Sequence, residues 1–206
     1  MPKAAILVGG RGKRIGKEKA TIKICGKTFL ERIVKALKGF DIAIVCRDLE
    51  QINTYKKIFN FNCAFVKDSV ENFGPLAGIH AALSYFKDYT LIVAVDLPFV
   101  KGDVAMAIYK ECVKMNADAL IPCKCNKFEP LLACYSYKAL KEIEKSFKRQ
   151  ERKILVPVER LKRVVFYNME NLRKLDKDLI SFFNVNTKED LRRAEELCSS
   201  IDLEGK

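Results

Sequence analysis

The first two thirds of the chain alternate between short apolar runs and segments in which apolar residues recur with helical spacing. Such alternation is typical of a parallel β-sheet whose strands are joined by crossover helices. The apolar runs of strand length are Ala4–Val8, Ile42–Cys46, Cys63–Lys67, Leu91–Val95 and Ala119–Pro122. The pattern therefore predicts an α/β fold with a mostly parallel, Rossmann-like sheet and helices on both faces, arranged as three α/β/α layers.

Local signals mark where the predicted helices begin and end. Apolar residues within Leu30–Leu37 form a helical stripe, and Gly39 can end that helix because glycine readily adopts the left-handed conformation. Asp48 and Gln51 have the spacing of a capping box, which predicts a helix that begins after Asp48. Pro75 stands where a proline is tolerated, in the first turn of a further helix.

The rhythm of the pattern changes after Pro122. The later predicted elements are three strands and three helices, which cover Phe128–Tyr135, Lys138–Phe147, Arg152–Leu161, Val164–Tyr167, Phe182–Val185 and a last helix capped by Thr187. No internal repeat or low-complexity linker interrupts the chain. We therefore expect a single domain over residues 1–206, with residues 1–122 and 123–206 as its two parts.

A glycine-rich, cationic segment, Leu7–Lys19, directly follows the first predicted strand. In open α/β sheets this is the place where ligands bind. Its glycines let backbone N–H groups approach phosphate oxygens, and its Arg and Lys side chains neutralise phosphate charge. The segment is not a Walker P-loop, because Glu18 stands where Ser or Thr is required, and Ile15 replaces the third glycine of a dinucleotide fingerprint. Taken alone, it can also be a flexible basic turn.

Charge and composition narrow the class of protein but select no partner. The 38 Lys and Arg against 26 Asp and Glu give a net charge of +12, which attracts polyanions such as nucleic acids and nucleotides. The cations are spread from Lys3 to Lys206 without one long block, so we expect most of them to solvate the surface. With 49% hydrophobic and 31% charged residues, the composition lies well outside that of unfolded chains, so we expect a folded protein.

The cysteine and histidine pattern argues against a structural zinc site. The chain has eight cysteines and one histidine, His80, which we expect to pack within a helix. Cys123 and Cys125 are the only close pair of cysteines, and no second pair follows them. The chain length favours buried or free thiols. The composition is similar to that of thermophiles, whose intracellular proteins can contain disulfides, so disulfide bonds are not excluded.

No leader or membrane segment is predicted. Met1–Lys3 runs directly into the first predicted strand, and the longest apolar runs, such as Leu91–Val95, are far shorter than the roughly 20 residues of a membrane helix. We therefore expect a cytoplasmic protein that binds no membrane.

The segment Leu7–Lys19 resembles the opening motif of the molybdenum cofactor guanylyltransferases, with Val8 in place of alanine and Ile15 in place of methionine. That family belongs to the nucleotidyltransferases of the nucleotide-diphospho-sugar transferase fold. Four further segments resemble motifs of the family and follow in the same order: Gly74–Gly78, Asp96–Phe99, Glu129–Leu131 and Phe183–Leu191. The resemblance spans nearly the whole chain.

The resemblance implies an enzyme that transfers GMP from Mg²⁺-bound GTP to the phosphate of molybdopterin and releases pyrophosphate. Residues 1–122 would then be the nucleotide-binding part and residues 123–206 the acceptor-side part. The acceptor phosphate is already ionised, so positioning and charge neutralisation can carry the catalysis without a strong general base. It further implies no nucleic-acid partner and transient contact with other proteins of cofactor biosynthesis.

The resemblance also assigns roles on the nucleotide side. Arg14, Lys19 and Asp96 are the predicted catalytic residues, and Asp96 is the predicted magnesium ligand, because a carboxylate after the strand Leu91–Val95 lies at the carboxyl edge of the sheet. Asp68 matches the aspartate that recognises the base, since a carboxylate can accept from two N–H donors of guanine. The full predicted GTP-binding set is Leu7, Val8, Gly9, Gly10, Lys19, Asp68 and Asp96.

On the acceptor side, the resemblance points to Gly78, Asn184 and Asn186. The pterin of the acceptor offers several donors and acceptors that amide side chains can match. Arg152 and Lys153 are further candidates, as ligands of the acceptor phosphate.

Every assignment has a structural alternative. Asp96 can cap a helix, Asp68 can cap a loop, and asparagines are common in turns for backbone reasons alone. Arg47 stands where the family has an asparagine after the second strand, which puts the base specificity in doubt. CMP transfer, or transfer to another small phosphorylated acceptor, is therefore an alternative function. A non-catalytic nucleic-acid-binding module is an alternative from another class, although no aromatic residues interleave on a basic strand face.

Overall fold

The computed structural model of the chain describes residues 1–9, 18–71 and 73–204, the last six of these as backbone only. The strands of this part of the chain are β1 (Lys3–Leu7), β2 (Lys23–Ile24), β3 (Lys27–Thr28), β4 (Asp41–Cys46), β5 (Ala64–Lys67), β6 (Thr90–Ala94), β7 (Ala119–Lys124), β8 (Lys127–Phe128), β9 (Leu132–Tyr135) and β10 (Val164–Asn168). The α-helices are α1 (Phe29–Ala36), α2 (Leu49–Ile58), α3 (Pro75–Phe86), α4 (Gly102–Lys114), α5 (Ala139–Lys148), α6 (Leu155–Glu159) and α7 (Lys188–Glu204).

The central sheet of the described residues has eight strands in the order β10-β7-β9-β6-β1-β4-β5, with β8 paired to β7 outside this path. Strands β5, β4, β1 and β6 run parallel to one another, and β10 runs parallel to β7. Strand β9 is antiparallel to both β6 and β7. The connection from β1 leads to one side of the sheet and the later strands lie on the other, so the strand order reverses at β1, where such sheets bind ligands.

Helices cover both faces of the sheet, because successive residues of its buried strands point to opposite sides. In β1, Ala4 and Ile6 pack into one hydrophobic core with α1, α2 and α4. Ala5, between them, packs into a second core with α3, α5 and α6. The predicted three-layer α/β/α arrangement with a mostly parallel sheet is confirmed.

The predicted helix boundaries agree with the capping contacts. Gly39 has a φ of +103° after α1, and Pro75 is in the first turn of α3. The Asp48 side chain accepts from the backbone N–H of Gln51 at 2.7 Å, so it caps α2. The side chain of Gln51 does not complete a capping box with the Asp48 backbone, because it accepts from the backbone N–H of Arg47 instead.

The prediction of a strand over Phe182–Val185 is wrong. Residues Ile180–Phe182 form a 3-10 turn, and residues 183–186 join no strand of the described sheet. The apolar pattern there reflects core packing, because Phe182 and Val185 are both buried. The predicted strand Phe128–Tyr135 is divided into β8 and β9, and the predicted helix Arg152–Leu161 is shorter, since α6 has five residues.

A disulfide joins Cys25 to Cys198, with the two Cα atoms 5.7 Å apart. Cys25 lies in the turn between β2 and β3, and Cys198 lies in α7. The bond therefore connects the hairpin that follows the glycine-rich segment to the last helix. No helix among the described residues has the length and apolar character to cross a membrane.

Candidate active site

A cleft opens at the carboxyl ends of β1, β4, β5 and β6, where the strand order reverses. It is lined by Leu7, Gly9, Lys19, Val45, Asp68, Gly74, Pro75, Gly78, Ala94, Val95, Asp96 and Leu131. Most of the residues predicted on the nucleotide side are therefore brought together here from distant parts of the chain. Gly10 and Arg14, also predicted to contact the nucleotide, lie outside the described residues.

Lys19 is the residue at which the predicted site converges. Its ammonium lies 3.1 Å from a carboxylate oxygen of Asp96 and donates at 2.6 Å to the side-chain oxygen of Asn186. The side chain of Lys19 is only 13% exposed and that of Asp96 21% exposed. A cation, a carboxylate and an amide thus meet in a half-enclosed space, where electrostatic interactions are stronger than in open water.

Asp96 is held in place by backbone bonds on both sides. The Val95 N–H donates to the carbonyl of Leu7, which extends the parallel pairing of β6 with β1 by one residue. The Asp96 carbonyl accepts from the backbone N–H of Val185 at 2.8 Å, so the segment before α7 is fixed against it. The Asp96 Oδ1 atom is buried and has no hydrogen-bond partner among the residues that the structure describes. A buried acceptor without a donor is suited to a cation.

Asp68 lies at the other side of the cleft, directly after β5. Its backbone N–H donates to the carbonyl of Cys46, which continues the pairing of β5 with β4. Space for its carboxylate depends on two glycines, since a Cβ atom at Gly9 would lie 3.3 Å from one carboxylate oxygen, and a Cβ at Gly78 would lie 3.3 Å from the other. Burial raises the pKa of Asp68 to about 6. A desolvated carboxylate between two glycines is well placed to accept hydrogen bonds from a flat ligand.

The family of the chain is decided by comparison with known proteins. The profile of the MobA-like NTP transferase domain matches residues 4–164. The chain belongs to the MobA-like NTP transferase family. The predicted family is thereby confirmed, and with it the enzyme class, a nucleotidyltransferase.

Named relatives of this MobA-like transferase are similar over most of their length. The chain is 37% identical over 199 residues to a probable molybdenum cofactor guanylyltransferase of Methanosarcina acetivorans, covering 91% of this chain and 87% of that one. It is 35% identical over 193 residues to a molybdenum cofactor guanylyltransferase of Desulfosudis oleivorans, covering 92% of each. The crystal structure of molybdopterin-guanine dinucleotide biosynthesis protein A from Archaeoglobus fulgidus matches with a TM-score of 0.89 and 47% identity, over 96% of this chain and 99% of that one.

Glu129 lies near Asp96 and is a residue to which the sequence motifs gave no specific role. It is buried, its carboxylate lies 3.4 Å from the ammonium of Lys127, and it is hydrogen-bonded by the side chain of Asn184. Burial raises the pKa of Glu129, and the nearby charge of Asp96 acts in the same direction. Its position in the family-like motif Glu129–Leu131, at the bend between β8 and β9, was the available signal.

Asn186 owes its position to the start of α7. The Asp190 carboxylate accepts from the backbone N–H of Asn186 at 3.0 Å and from that of Thr187 at 2.8 Å. The Thr187 hydroxyl in turn accepts from the Asp190 N–H at 3.0 Å, which confirms the predicted cap of the last helix. Asn186 is therefore presented to Lys19 by a fixed helix terminus.

The structure also places four other residues that the sequence singled out. Gly78, expected on the acceptor side, packs in α3, where an added Cβ would lie 3.1 Å from Leu7, on the side of the cleft that holds Asp68. The guanidinium of Arg152 lies 5.9 Å over the ring of Phe73, and Lys153 is exposed. His80 packs within α3, as expected, where its ring is 5.2 Å from that of Phe147.

Proposed function

We propose that this MobA-like transferase moves GMP from Mg²⁺-bound GTP to the phosphate of molybdopterin, releasing pyrophosphate. The observation that carries the proposal is the contact of Lys19 with both Asp96 and Asn186, because it joins a cation for phosphate, a carboxylate for a metal and an acceptor-side amide at one point. The relatives named molybdenum cofactor guanylyltransferase support the same reaction.

Guanine is favoured by the carboxylate of Asp68. One edge of guanine presents two adjacent N–H donors, which a single carboxylate can accept together, whereas cytosine and uracil lack that arrangement. Arg47 does not compete for this role, since its guanidinium forms ion pairs with Glu18 at 2.8 Å and Asp48 at 3.0 Å. Base selection is therefore assigned to Asp68.

Asp96 is the proposed magnesium ligand. The buried, unpartnered Oδ1 atom, judged against the described part of the chain, fits a hard cation, and no cluster of three His, Cys, Asp or Glu side chains is present there. Magnesium is commonly held by one or two carboxylates together with phosphate oxygens and water, so one carboxylate is sufficient. When bound, the ion would supply positive charge that neutralises the triphosphate.

The reaction requires the chain to orient two anions. An oxygen of the acceptor phosphate forms a bond to the α-phosphorus of GTP, and the bond between that phosphorus and the bridging oxygen of pyrophosphate breaks. Lys19 neutralises charge that builds up on the transferred group, and Arg14 is assigned the same task. Asn184 and Asn186 orient the acceptor on the side of the cleft opposite Asp68. Residues 1–122 thus bind the nucleotide, and residues 123–206 supply the acceptor side.

The proposal is tested by incubating the protein with molybdopterin and Mg²⁺ in the presence of GTP, CTP or ATP, while pyrophosphate release is measured. We expect release with GTP that depends on both the acceptor and the metal. Asp96→Ala should abolish it, whereas Asp103→Ala, a change of an acidic residue in the first turn of α4, should not.

Release with CTP in preference to GTP would replace guanine by cytosine in the proposal. Release only with another phosphorylated acceptor would replace molybdopterin. Equal activity of Asp96→Ala and the wild type would remove the metal assignment.

A further inference from the structure

One side chain, Gln51 of α2, binds both ends of the glycine-rich segment Leu7–Lys19. Its amide nitrogen lies 3.3 Å from the carbonyl oxygen of Val8 and 2.8 Å from a carboxylate oxygen of Glu18. Val8 follows β1, and Glu18 precedes the short 3-10 turn Lys19–Thr21. The amide group of Gln51 therefore connects Val8, where the chain leaves β1, with Glu18, where it returns to the site.

Gln51 is itself held rigidly. It is only 3% exposed, and its side-chain oxygen accepts from the backbone N–H of Arg47 at 2.9 Å. Its position at the start of α2 is fixed by the Asp48 cap. A buried amide with donors and acceptor all satisfied is stable in one orientation, because any rotation would leave polar atoms unpaired.

The carboxylate of Glu18 is bound by two further side chains. The Tyr55 hydroxyl donates to the carboxylate oxygen that Gln51 also binds, at 2.7 Å, and the Arg47 guanidinium lies 2.8 Å from the other oxygen. Burial opposes ionisation, but the hydrogen bonds from Tyr55 and Gln51 and the ion pair with Arg47 outweigh it and lower the pKa of Glu18. Arg47 directly follows β4, and Gln51 and Tyr55 lie in α2.

Glu18 is connected to Lys19 through the hydrogen bonds of the turn that follows it. The carbonyl of Glu18 accepts from the backbone N–H of Thr21 at 3.0 Å and from its hydroxyl at 2.9 Å. The carbonyl of Lys19 accepts from the N–H of Ile22 at 3.2 Å, which closes the turn. Since Lys19 opens this turn, displacement of Glu18 moves the ammonium that contacts Asp96.

We infer that Gln51, together with Tyr55 and Arg47, is a positioning group that fixes both ends of the glycine-rich segment and so sets the place of Lys19 in the site. The inference rests on the proposed function for its effect on turnover. None of the three residues lines the cleft, so each acts through Val8 or Glu18 and is not a catalytic residue. In this protein Arg47 is thereby assigned to the phosphate side and not to the base.

The test compares Gln51→Leu with a matched control. Leucine has a similar volume but cannot donate to Val8 or Glu18, so we expect the KM for the triphosphate to rise and kcat to fall, each by about tenfold. Arg160→Leu is the control, because Arg160 also joins several groups, Glu142 and Glu151 among them, but between α5 and α6, away from the cleft. It should lower the melting temperature and leave both kinetic constants unchanged.

A second measurement needs no substrate. In Gln51→Leu, the backbone amides of Thr21 and Ile22 should exchange with deuterium faster than in the wild type, since the turn that protects them is released. Arg160→Leu should leave this exchange unchanged. If Gln51→Leu does not fold, Tyr55→Phe removes one hydroxyl from Glu18 and keeps the ring, and we expect the same changes with smaller size.

The two measurements separate this inference from the proposed function. A wild type that turns over no triphosphate would refute the proposed function. The exchange at Thr21 and Ile22 would still decide whether Gln51 fixes Val8 and Glu18 in place. Unchanged exchange in Gln51→Leu would overturn the inference whatever the substrate. Kinetic losses in Arg160→Leu equal to those in Gln51→Leu would overturn it as well, because a general loss of stability would then explain the changes in KM and kcat.

Discussion

Lys19 donates to the side chain of Asn186 at 2.6 Å, although 167 positions separate the two residues. The contact joins the segment after β1 to the start of α7, and it lies beside the carboxylate of Asp96. Both segments are also tied by the disulfide between Cys25 and Cys198. The site therefore combines residues near both ends of the chain with Asp96 from its middle, and its geometry depends on how firmly these segments are held together.

Removal of the Lys19 ammonium should abolish most of the activity. Lys19→Met keeps the length of the side chain but leaves charge on the transferred phosphate uncompensated, so we expect kcat to fall about 10²–10³-fold. Steady-state pyrophosphate release measures it. Lys23→Met, at an exposed position of β2, is the control and should keep the wild-type kcat. Equal kcat values for the two variants would contradict the assignment.

GTP affinity should depend on the protonation of Asp68, whose pKa is raised to about 6 by burial. The ionised form accepts the guanine N–H groups, so affinity is full above this pKa and weakens as the pH falls, by about tenfold for each unit below it. Calorimetric titration with GTP between about pH 5 and pH 8 measures the profile.

Asp68→Asn should remove this pH dependence and weaken GTP binding. The free variant should melt at a higher temperature at neutral pH, because a raised carboxyl pKa means that the folded protein carries an unfavourable buried charge above pH 6. Asp41→Asn, which changes a carboxylate paired with Lys3 at the amino end of β4, is the control for the titration. An unchanged GTP profile in Asp68→Asn would exclude the base-recognition role.

Two glycine substitutions should separate binding from stability. In Gly78→Ala the new methyl would lie 3.1 Å from a methyl of Leu7 and 3.3 Å from the Asp68 carboxylate, both movable groups. Alanine also favours a helix over glycine by about 1 kcal/mol, so the melting temperature should change little while the KM for GTP rises. Gly102→Ala would place its methyl 2.4 Å from the backbone oxygen of Ala36, which cannot yield cheaply. That variant should lose stability and keep its KM. An unchanged KM in Gly78→Ala together with a raised KM in Gly102→Ala would refute the cleft geometry.

Reduction of the disulfide should lower stability. The bond between Cys25 and Cys198 spans a sequence separation of 173 residues, so reduction restores much chain entropy to the unfolded state. We expect a loss of about 2–4 kcal/mol, or roughly 5–15 °C in melting temperature for a chain of this size. Thermal melts with and without dithiothreitol measure it.

Cys25→Ser should show the lower melting temperature without reductant and no further change with it. Cys125→Ser, which alters an exposed free thiol, should behave as the wild type in both conditions. A melting temperature of the wild type that is insensitive to dithiothreitol would contradict a stabilising disulfide.

The sequence by itself determined the order of the parallel strands and the residues at their ends. Strand β1 and the residues after it, Asp68 after β5 and Asp96 after β6 were predictable because buried parallel strands are short apolar runs, and polar residues after them must lie at the same edge of the sheet. The same periodicity gave a wrong prediction at Phe182–Val185. Phe182 and Val185 are buried as they would be in a strand, but the segment pairs with no strand of the described sheet.

Only the tertiary structure decided which distant side chains meet. The contacts of Lys19 with Asn186 and of Gln51 with both Val8 and Glu18 depend on the packing of separate elements, as does the choice of Cys198 as partner of Cys25 among eight cysteines. Local patterns fix the backbone within about ten residues, through capping, turns and alternation of burial. Contacts across the fold are set by the positions of whole helices and strands, and no local pattern specifies those positions.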